Sequence, residues 1–177
     1  KRLMVFMPPG SAKSTYASIL FPAWFLGRNS KLSVLASSHT TELAERFGRR
    51  VRNILADKPY QNLFDTRLAA DSQAAGRWAT AQGGEYYAAG IGSAILGYRA
   101  DIGIIDDPVA GREQADSERE RQKTWEWYKS DFYTRLKPGA SILLIMQRWR
   151  EDDLAGMLIE DAKKGGNQRL VEFVENE

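Results

Sequence analysis

The sequence predicts an α/β fold in which a mostly parallel central sheet carries helices on both of its faces. Short apolar runs alternate with segments of helical periodicity along the 177 residues, and strands separated by helices form parallel sheets. Polar residues follow three of the apolar runs, as Lys13-Ser14, Asp106-Asp107 and Gln147-Arg148. Because ligands bind at the carboxyl ends of parallel strands, we expect these residues to converge on one site.

The first half of the chain is predicted to contain two strands, each followed by a helix. Leu3–Met7 reads as a buried strand, and Lys13–Leu26 as a helix that bends at Pro22, which lacks a backbone N–H. Lys31–Ser37 is the second predicted strand. Thr40–Asp57 is predicted to be a helix because apolar residues recur there at helical spacing: Leu43, Phe47, Val51, Ile54 and Leu55.

The second half is predicted to begin with an antiparallel hairpin. Arg77–Thr80 and Glu85–Ala89 are short strand-like runs that flank a Gln-Gly-Gly turn. The remaining predicted elements are a buried strand at Ile102–Asp107, a long helix at Ser117–Arg135, a strand at Ser141–Met146, a helix at Glu151–Lys164 with acids in its first turn, and a last strand at Arg169–Val174.

Composition excludes several classes of site. The chain has no cysteine and one histidine, His39, so disulfides, thiolate metal sites, His-rich metal sites and a Ser-His-Asp triad are not expected. Lys and Arg number 25 and Asp and Glu 23, a net charge of +2 that is too balanced to argue for nucleic-acid binding by itself. No apolar run is long enough for a membrane span and no signal peptide is apparent, so we expect an intracellular protein.

The segment Met7–Thr15 indicates a phosphate-binding loop. In such a loop the backbone N–H groups and a helix N-terminus face the phosphates, Lys13 reaches the β- and γ-phosphates, and Ser14 holds Mg²⁺. Met7 and Ala12 stand where the motif G-x-x-x-x-G-K-[ST] has glycines. A strand–turn–helix with an incidental lysine is the alternative. The predicted nucleotide-binding residues are Pro9, Gly10, Ser11, Ala12, Lys13, Ser14 and Thr15.

Two later strand ends could supply the rest of a nucleotide-hydrolysing site. Asp106 would coordinate Mg²⁺, through water, and Asp107 would polarise the attacking water. The alternative is an acidic turn, because Asp and Pro108 are turn formers. Gln147 could contact the γ-phosphate or the attacking water, or could simply mark the point where a strand reaches solvent.

Four segments in order, Pro8–Ser18, Ile104–Pro108, Thr134–Gly139 and Gln147–Gly156, resemble the ATPase domain of the large terminase subunit of tailed bacteriophages. The resemblance implies a P-loop NTPase fold of the additional-strand, catalytic-carboxylate class, with ATP and Mg²⁺ as cofactors. By resemblance, Lys13 and Ser14 form the nucleotide loop's catalytic pair.

The same resemblance assigns Asp106 to the metal, Asp107 to catalysis and Gln147 to a coupling motif. It implies a motor that drives double-stranded viral DNA through a portal protein into the procapsid, in the host bacterial cytoplasm. The partners implied are the portal, a small terminase subunit and further copies in a ring, commonly a pentamer. We interpret residues 1–177 as one ATPase domain cut from a longer protein. The family's adenine-binding segment and RNase H-like nuclease domain would lie outside it.

One departure from the family concerns the positive charge for catalysis. Many relatives place an arginine at the position of Gly10. Arg99 is the nearest candidate for the arginine that relatives donate to a neighbouring subunit, and it could equally be a surface or ion-pair residue. Arg135 and Arg148 are fallbacks; Arg148 could instead form a structural stack or an ion pair with the acids at Glu151–Asp153. A second basic feature lies on the polar face of the second helix and is either a DNA contact or a solvated surface: Arg46, Arg49, Arg50 and Arg52.

The leading hypothesis is therefore Mg-dependent ATP hydrolysis that powers DNA packaging. Nuclease activity is not expected of these residues. One alternative is another P-loop enzyme, such as a DNA-dependent helicase or a nucleotide kinase. The other is a non-catalytic nucleotide-binding module, in which the missing loop glycines would reflect a loop that no longer hydrolyses.

Overall fold

The computed structural model describes residues 1–165 and shows a seven-stranded sheet with helices on both faces. The strands are β1 (Arg2–Phe6), β2 (Val34–Ser38), β3 (Leu68–Gln73), β4 (Arg77–Thr80), β5 (Glu85–Gly90), β6 (Ala100–Asp106) and β7 (Leu136–Met146). The α-helices are α1 (Phe21–Arg28), α2 (Thr41–Ala56), α3 (Lys58–Leu63), α4 (Arg112–Asp116), α5 (Glu118–Trp127) and α6 (Leu154–Lys164).

The strand order is β1-β7-β6-β2-β5-β4-β3. The first five strands in this order pair in parallel, and β4 pairs antiparallel with both β5 and β3. β7 therefore lies between β1 and β6, although it is the last strand of the described chain. Because parallel strands present their carboxyl ends at one edge, the residues after β1, β6, β7 and β2 are neighbours.

Two apolar clusters cover the faces of the sheet. On one face, alternate residues of the strands, such as Val34 and Ile104, pack against α1, α2 and α3. On the other face, the intervening residues, such as Leu35 and Ile105, pack against α5, α6 and the segment that follows α5. The parallel pairing of five strands between two helical layers confirms the mostly parallel α/β arrangement predicted from the sequence.

The first helix begins at Lys13, as predicted, but contains a π-helical stretch, Thr15–Leu20, before α1. The Phe21 amide accordingly bonds back five residues to the Tyr16 carbonyl. π-Helical turns inside helices often occur at functional sites, and this one carries Ser18, whose hydroxyl reaches Asp106 at the end of β6. Pro22 sits at the start of the α-helical part, where its missing N–H is tolerated.

Several predicted elements need correction. The long helix predicted at Ser117–Arg135 is three consecutive helical forms: α5, a π-helical stretch (Tyr128–Phe132) and a 3₁₀ turn (Tyr133–Arg135). α6 begins at Leu154 rather than Glu151, because the Asp153 side chain accepts the Gly156 amide as an N-cap and so stops the helix there.

β3, α3 and α4 were not predicted, and β7 begins five residues before its predicted start. The strand predicted at 169–174 lies outside the described residues. Within residues 1–165, none of the helices is both long enough and apolar enough to cross a membrane.

Candidate active site

The loop after β1 makes a tight turn whose backbone is left-handed at two positions. Gly10 has a φ of 80° and Ala12 a φ of 60°. The Ser11 amide and hydroxyl both donate to the Pro8 carbonyl oxygen, at 3.4 and 2.8 Å. A Cβ at Gly10 would meet no atom within 4 Å, so there is open space beside the loop. Ala12 takes the conformation that glycine more readily adopts, and the loop keeps this turn without the second glycine of the motif.

The helix that follows places a lysine and a serine against the end of β6. Lys13 Nζ lies 2.9 Å from Asp107 Oδ2, and the Lys13 side chain is only 9% exposed. Ser14 Oγ donates to Asp106 Oδ1 at 3.1 Å. Thr15 follows at the start of the π-helical stretch. The structure thus brings together the loop and both carboxylates, although 92 residues separate Ser14 from Asp106.

Asp106 is a buried carboxylate held by two serine hydroxyls. The residue is 1% exposed, and Ser18 Oγ donates to its Oδ2 at 2.5 Å while Ser14 Oγ donates to Oδ1. Burial raises the pKa of Asp106, and the nearby Asp107 raises it further; the two serine hydrogen bonds and the Lys13 charge lower the pKa but do not offset the burial. The serines therefore partly replace the water that a charged carboxylate would have in solution.

Asp107 has an unusual backbone and contacts on all its polar groups. Its φ is 44°, in the left-handed region, although it is not glycine and precedes proline. Its amide donates to the Ile145 carbonyl at 2.8 Å, and its Oδ1 accepts the Gln147 amide at 3.3 Å. Its Oδ2 meets Lys13, and its carbonyl oxygen lies 3.2 Å from His39 Nδ1. Three elements therefore orient this one residue.

The residues present fit a magnesium ion that arrives with a phosphate group. Within residues 1–165, no group of three or more His, Cys, Asp or Glu side chains could hold a metal ion by itself. Ser14 and Asp106 offer oxygen atoms, which Mg²⁺ prefers, and Mg²⁺ usually takes few protein ligands and keeps several waters. Because both Asp106 oxygens already accept serine hydroxyls, this carboxylate suits an indirect contact through water.

A family model described as "Terminase large subunit, T4likevirus-type, N-terminal" matches residues 4–177, almost the whole chain. The chain belongs to the terminase large-subunit family. This confirms the resemblance inferred from the four ordered motifs.

The fold of this terminase chain is also that of a solved relative. The crystal structure of the HK97 bacteriophage large terminase matches 94% of the chain with a TM-score of 0.61, at 13% sequence identity. At that identity the similarity shows the fold alone. The present chain spans 33% of the length of the HK97 chain. No curated protein matches the sequence.

The end of β7 contributes backbone rather than side chain to this terminase site. The backbone amide of Gln147 donates to Asp107 Oδ1, and the Gln147 side chain is half-buried. Arg148 Nε donates to Asp153 Oδ2 at 2.9 Å, which confirms the ion pair considered for it, and its guanidinium lies 5.3 Å from the centre of the Phe6 ring. Arg148 therefore ties the loop after β7 to the start of α6.

The structure does not bring Arg99 or Arg135 to the carboxylates of the same chain. Both precede a strand, β6 and β7 respectively, and so lie at the amino edge of the sheet. Seven residues of strand separate Arg99 from the end of β6, about 20 Å at about 3.3 Å per residue. Arg99 Nη1 donates instead to the Thr134 carbonyl at 3.4 Å. Any catalytic role for Arg99 therefore requires a second subunit.

Two residues of the site were not predicted as such. Ser18 lies four residues after Ser14, so helical spacing alone could have placed both hydroxyls on one face. His39 follows β2, whose Ser38 lies opposite Asp106 in the parallel pairing of β2 with β6. Without the strand order, the sequence had no signal that β2 neighbours β6 and that His39 therefore neighbours Asp107.

Proposed function

We propose that this chain is the ATP-hydrolysing part of a terminase motor that packages double-stranded DNA. The observation that carries the proposal is the pair of contacts between the loop after β1 and the end of β6: Ser14 to Asp106 and Lys13 to Asp107. A lysine, a hydroxyl and two carboxylates at the carboxyl edge of a parallel sheet suit phosphoryl transfer to water.

The topology supports assignment to the additional-strand class of P-loop NTPases. In this class a strand lies between the strand that leads into the phosphate loop and the strand that ends in the acidic residues. β7 lies in this position, between β1 and β6, and its carboxyl end supplies the Gln147 amide to Asp107. The left-handed Ala12 favours a working loop over one that has lost its shape with its glycines.

Each residue has a role that its chemistry suits. Lys13 would contact the β- and γ-phosphates, and Ser14 and Asp106 would hold Mg²⁺, which would neutralise phosphate charge when bound. Asp107 accepts a hydrogen bond from the attacking water and orients it. The phosphates compete with Asp107 for the Lys13 ammonium, so nucleotide binding frees Asp107 Oδ2 for the water. Gln147 stays a candidate for contact with the γ-phosphate.

Mg-dependent ATP hydrolysis by the purified protein, with and without duplex DNA, tests the enzymatic proposal. Asp107→Asn should lower kcat by at least about 100-fold, because an amide is a poor base. Asp65→Asn is a matched control, since Asp65 is an exposed carboxylate, and it should hydrolyse ATP like the wild type. Equal rates in both variants would exclude Asp107 as the catalytic carboxylate.

The same preparation separates the alternatives. Transfer of phosphate to a small acceptor instead of water would indicate a kinase. A melting temperature that rises with Mg-ATP while no ATP is hydrolysed would indicate the non-catalytic nucleotide-binding module.

α2 supplies a surface suited to the phosphate backbone of DNA. Arg46, Arg49 and Arg50 are exposed and lie three and four residues apart, on one face of the helix. Within the part of the chain that the structure describes, none of the three forms an ion pair. The exposed Glu42, one helical turn before Arg46, does not pair with it. Unpaired guanidinium groups bind phosphates without reading base sequence.

Replacing the three arginines by alanine should weaken binding to duplex DNA of any sequence. The negative slope of log affinity against log salt concentration should become less steep by about 0.9 for each phosphate that the variant no longer neutralises. A variant with three alanines at Arg119, Lys163 and Lys164 removes the same charge from exposed positions elsewhere. If both triple variants weaken binding equally, net charge rather than this face of α2 governs affinity.

We further propose that this chain forms a homo-oligomeric ring on the portal in the host cytoplasm, with a small terminase subunit as a partner. In this ring, Arg99 completes the active site of a neighbouring subunit. Arg99→Ala should lose hydrolysis but keep nucleotide binding. Mixing it with Asp107→Asn should restore part of the activity, because some sites then combine an intact Arg99 with an intact Asp107. No recovery on mixing would place the catalytic cation elsewhere.

A further inference from the structure

His39 lies next to the proposed catalytic carboxylate but on a different element. It is the first residue after β2, and Thr40, the N-cap of α2, follows it directly. Because Ser38 pairs with Asp106 in the parallel register, the next residues, His39 and Asp107, leave the sheet side by side. His39 Nδ1 comes within 3.2 Å of the Asp107 carbonyl oxygen.

The partner atom fixes the direction of this hydrogen bond. A carbonyl oxygen can only accept, so Nδ1 of His39 must carry the hydrogen, in either the neutral or the charged ring. The bond therefore acts on the backbone of Asp107 and occupies neither of its carboxylate oxygens. This contact differs from the one made by Lys13, which occupies Oδ2.

The backbone of Asp107 needs such support. A φ of 44° is uncommon for a residue with a side chain, and the Pro108 that follows disfavours helical conformations at the residue before it. Conformations of this kind persist where the surroundings hold them, and they concentrate at functional sites. The amide of Asp107 is held by β7, and its carbonyl by His39.

We propose that His39 is a positioning residue that keeps Asp107 in its left-handed conformation, so that the carboxylate stays aimed at the phosphate loop once Lys13 has moved to the phosphates. This inference rests on the proposed function, in which Asp107 orients the attacking water. It predicts that loss of the Nδ1–H donor reduces the rate of hydrolysis and leaves nucleotide binding intact. The hydrogen bond from His39 involves only Asp107. Its loss therefore leaves the contact between Ser14 and Asp106 in place.

Two substitutions separate the hydrogen bond from general packing. Asn places its amide nitrogen as many bonds from Cα as His Nδ1, whereas Gln places it one bond further. His39→Asn should therefore retain most of the activity. His39→Gln and His39→Ala should lose about 10- to 100-fold in kcat, the range that a small misplacement of a catalytic group produces, with KM and the Mg-ATP-induced rise in melting temperature unchanged.

Thr40→Ala is the matched control for the link between β2 and α2. It removes the cap hydrogen bond from the Leu43 amide and should lower the melting temperature without changing kcat. The His39 variants are interpreted once the wild type hydrolyses ATP and Lys13→Ala does not, so failure of the proposed function is recognised first.

Wild-type kcat in His39→Ala, or equal activity of the Asn and Gln variants, would overturn the positioning role. If His39→Ala does not fold, the comparison of Asn with Gln still decides. A parallel loss of kcat in Thr40→Ala would also overturn it, because the link as a whole, rather than the hydrogen bond, would then be responsible.

Discussion

The two ends of β6 each carry an aspartate paired with a lysine, and the two pairs differ in what surrounds them. At the amino end, Asp101 Oδ2 accepts Lys137 Nζ and the Ser33 amide, both at 2.8 Å, and so joins β6 to β7 and to the residue before β2. At the carboxyl end, Asp107 meets Lys13 at 2.9 Å. One pair joins neighbouring strands; the other joins a strand end to an open loop.

The difference shows how the same two side chains can serve structure or chemistry. Asp101 lies within β6, and the side chain of its partner Lys137 is 39% exposed, so this ion pair links two strands in partly solvated surroundings. Lys13 is 9% exposed and lies on a helix that starts at a loop with left-handed residues, while Asp107 is itself left-handed. In the function proposed above, phosphate replaces Asp107 as the partner of the nearly buried Lys13, whereas Lys137 stays paired with Asp101 between two strands.

The largest expected difference between the pairs is in hydrolysis. Lys13→Ala should lower kcat by at least about 100-fold, the usual effect of removing a group that stabilises transition-state charge. Lys137→Ala should stay within about twofold of the wild type. Steady-state ATP hydrolysis with both variants checks this, and a similar loss in both would mean that the two pairs do not differ in role.

Ser18→Ala should have the next largest effect, because it removes the donor to Asp106 Oδ2. A buried acceptor left unsatisfied lowers the free energy of unfolding by about 1–3 kcal/mol, and we expect hydrolysis to fall about tenfold. Denaturant unfolding and hydrolysis rates measure both. The control is Ser37→Ala, since the buried Ser37 hydroxyl has no hydrogen-bond partner among the described residues; it should be neutral or slightly stabilising.

Asp101→Ala should affect stability only. It removes the Lys137 pair and leaves the Ser33 amide without its acceptor, which should lower the free energy of unfolding by about 1 kcal/mol. Lys137→Ala should lower it by less, because partly exposed ion pairs contribute little. If Asp101→Ala reduced kcat at full occupancy with nucleotide, the amino end of β6 would not be purely structural.

The smallest effect concerns the pH dependence of stability. Burial raises the pKa of Asp106 in the folded protein above its ordinary value of 3.8. At pH values between 3.8 and this raised pKa, the folded protein holds a proton on Asp106 that the unfolded chain has lost. Stability should therefore fall as pH rises through this interval, and Asp106→Asn should remove this fall. Urea unfolding in EDTA at several pH values above 3.8 tests it. A wild type that gains stability over Asp106→Asn as pH rises would contradict the sign.

Local patterns accounted for the individual parts of the site. The apolar run before the loop, the Lys-Ser pair and the two aspartates after an apolar strand were each visible, because strand ends and helix starts are local features. The strand β3 was missed because Ala69, Ala70, Asp71 and Ser72 have little β-propensity, and pairing with β4 decides its conformation. The start of α6 was predicted three residues too early, because the Asp153 side chain caps the helix by accepting the Gly156 amide.

The sequence by itself determined the alternation of strands and helices, the turn and Lys-Ser pair that follow the first strand, and the two carboxylates that follow a buried strand. Only the tertiary structure decided that β7 lies between β1 and β6, that Ser18 and His39 join the site, and that Arg99 lies at the opposite edge. The physical reason is that strand order and side-chain hydrogen bonds join residues far apart in the chain. The contacts of Asp106 and Asp107 come from residues that are distant in the sequence, such as Ser14, Lys13 and His39.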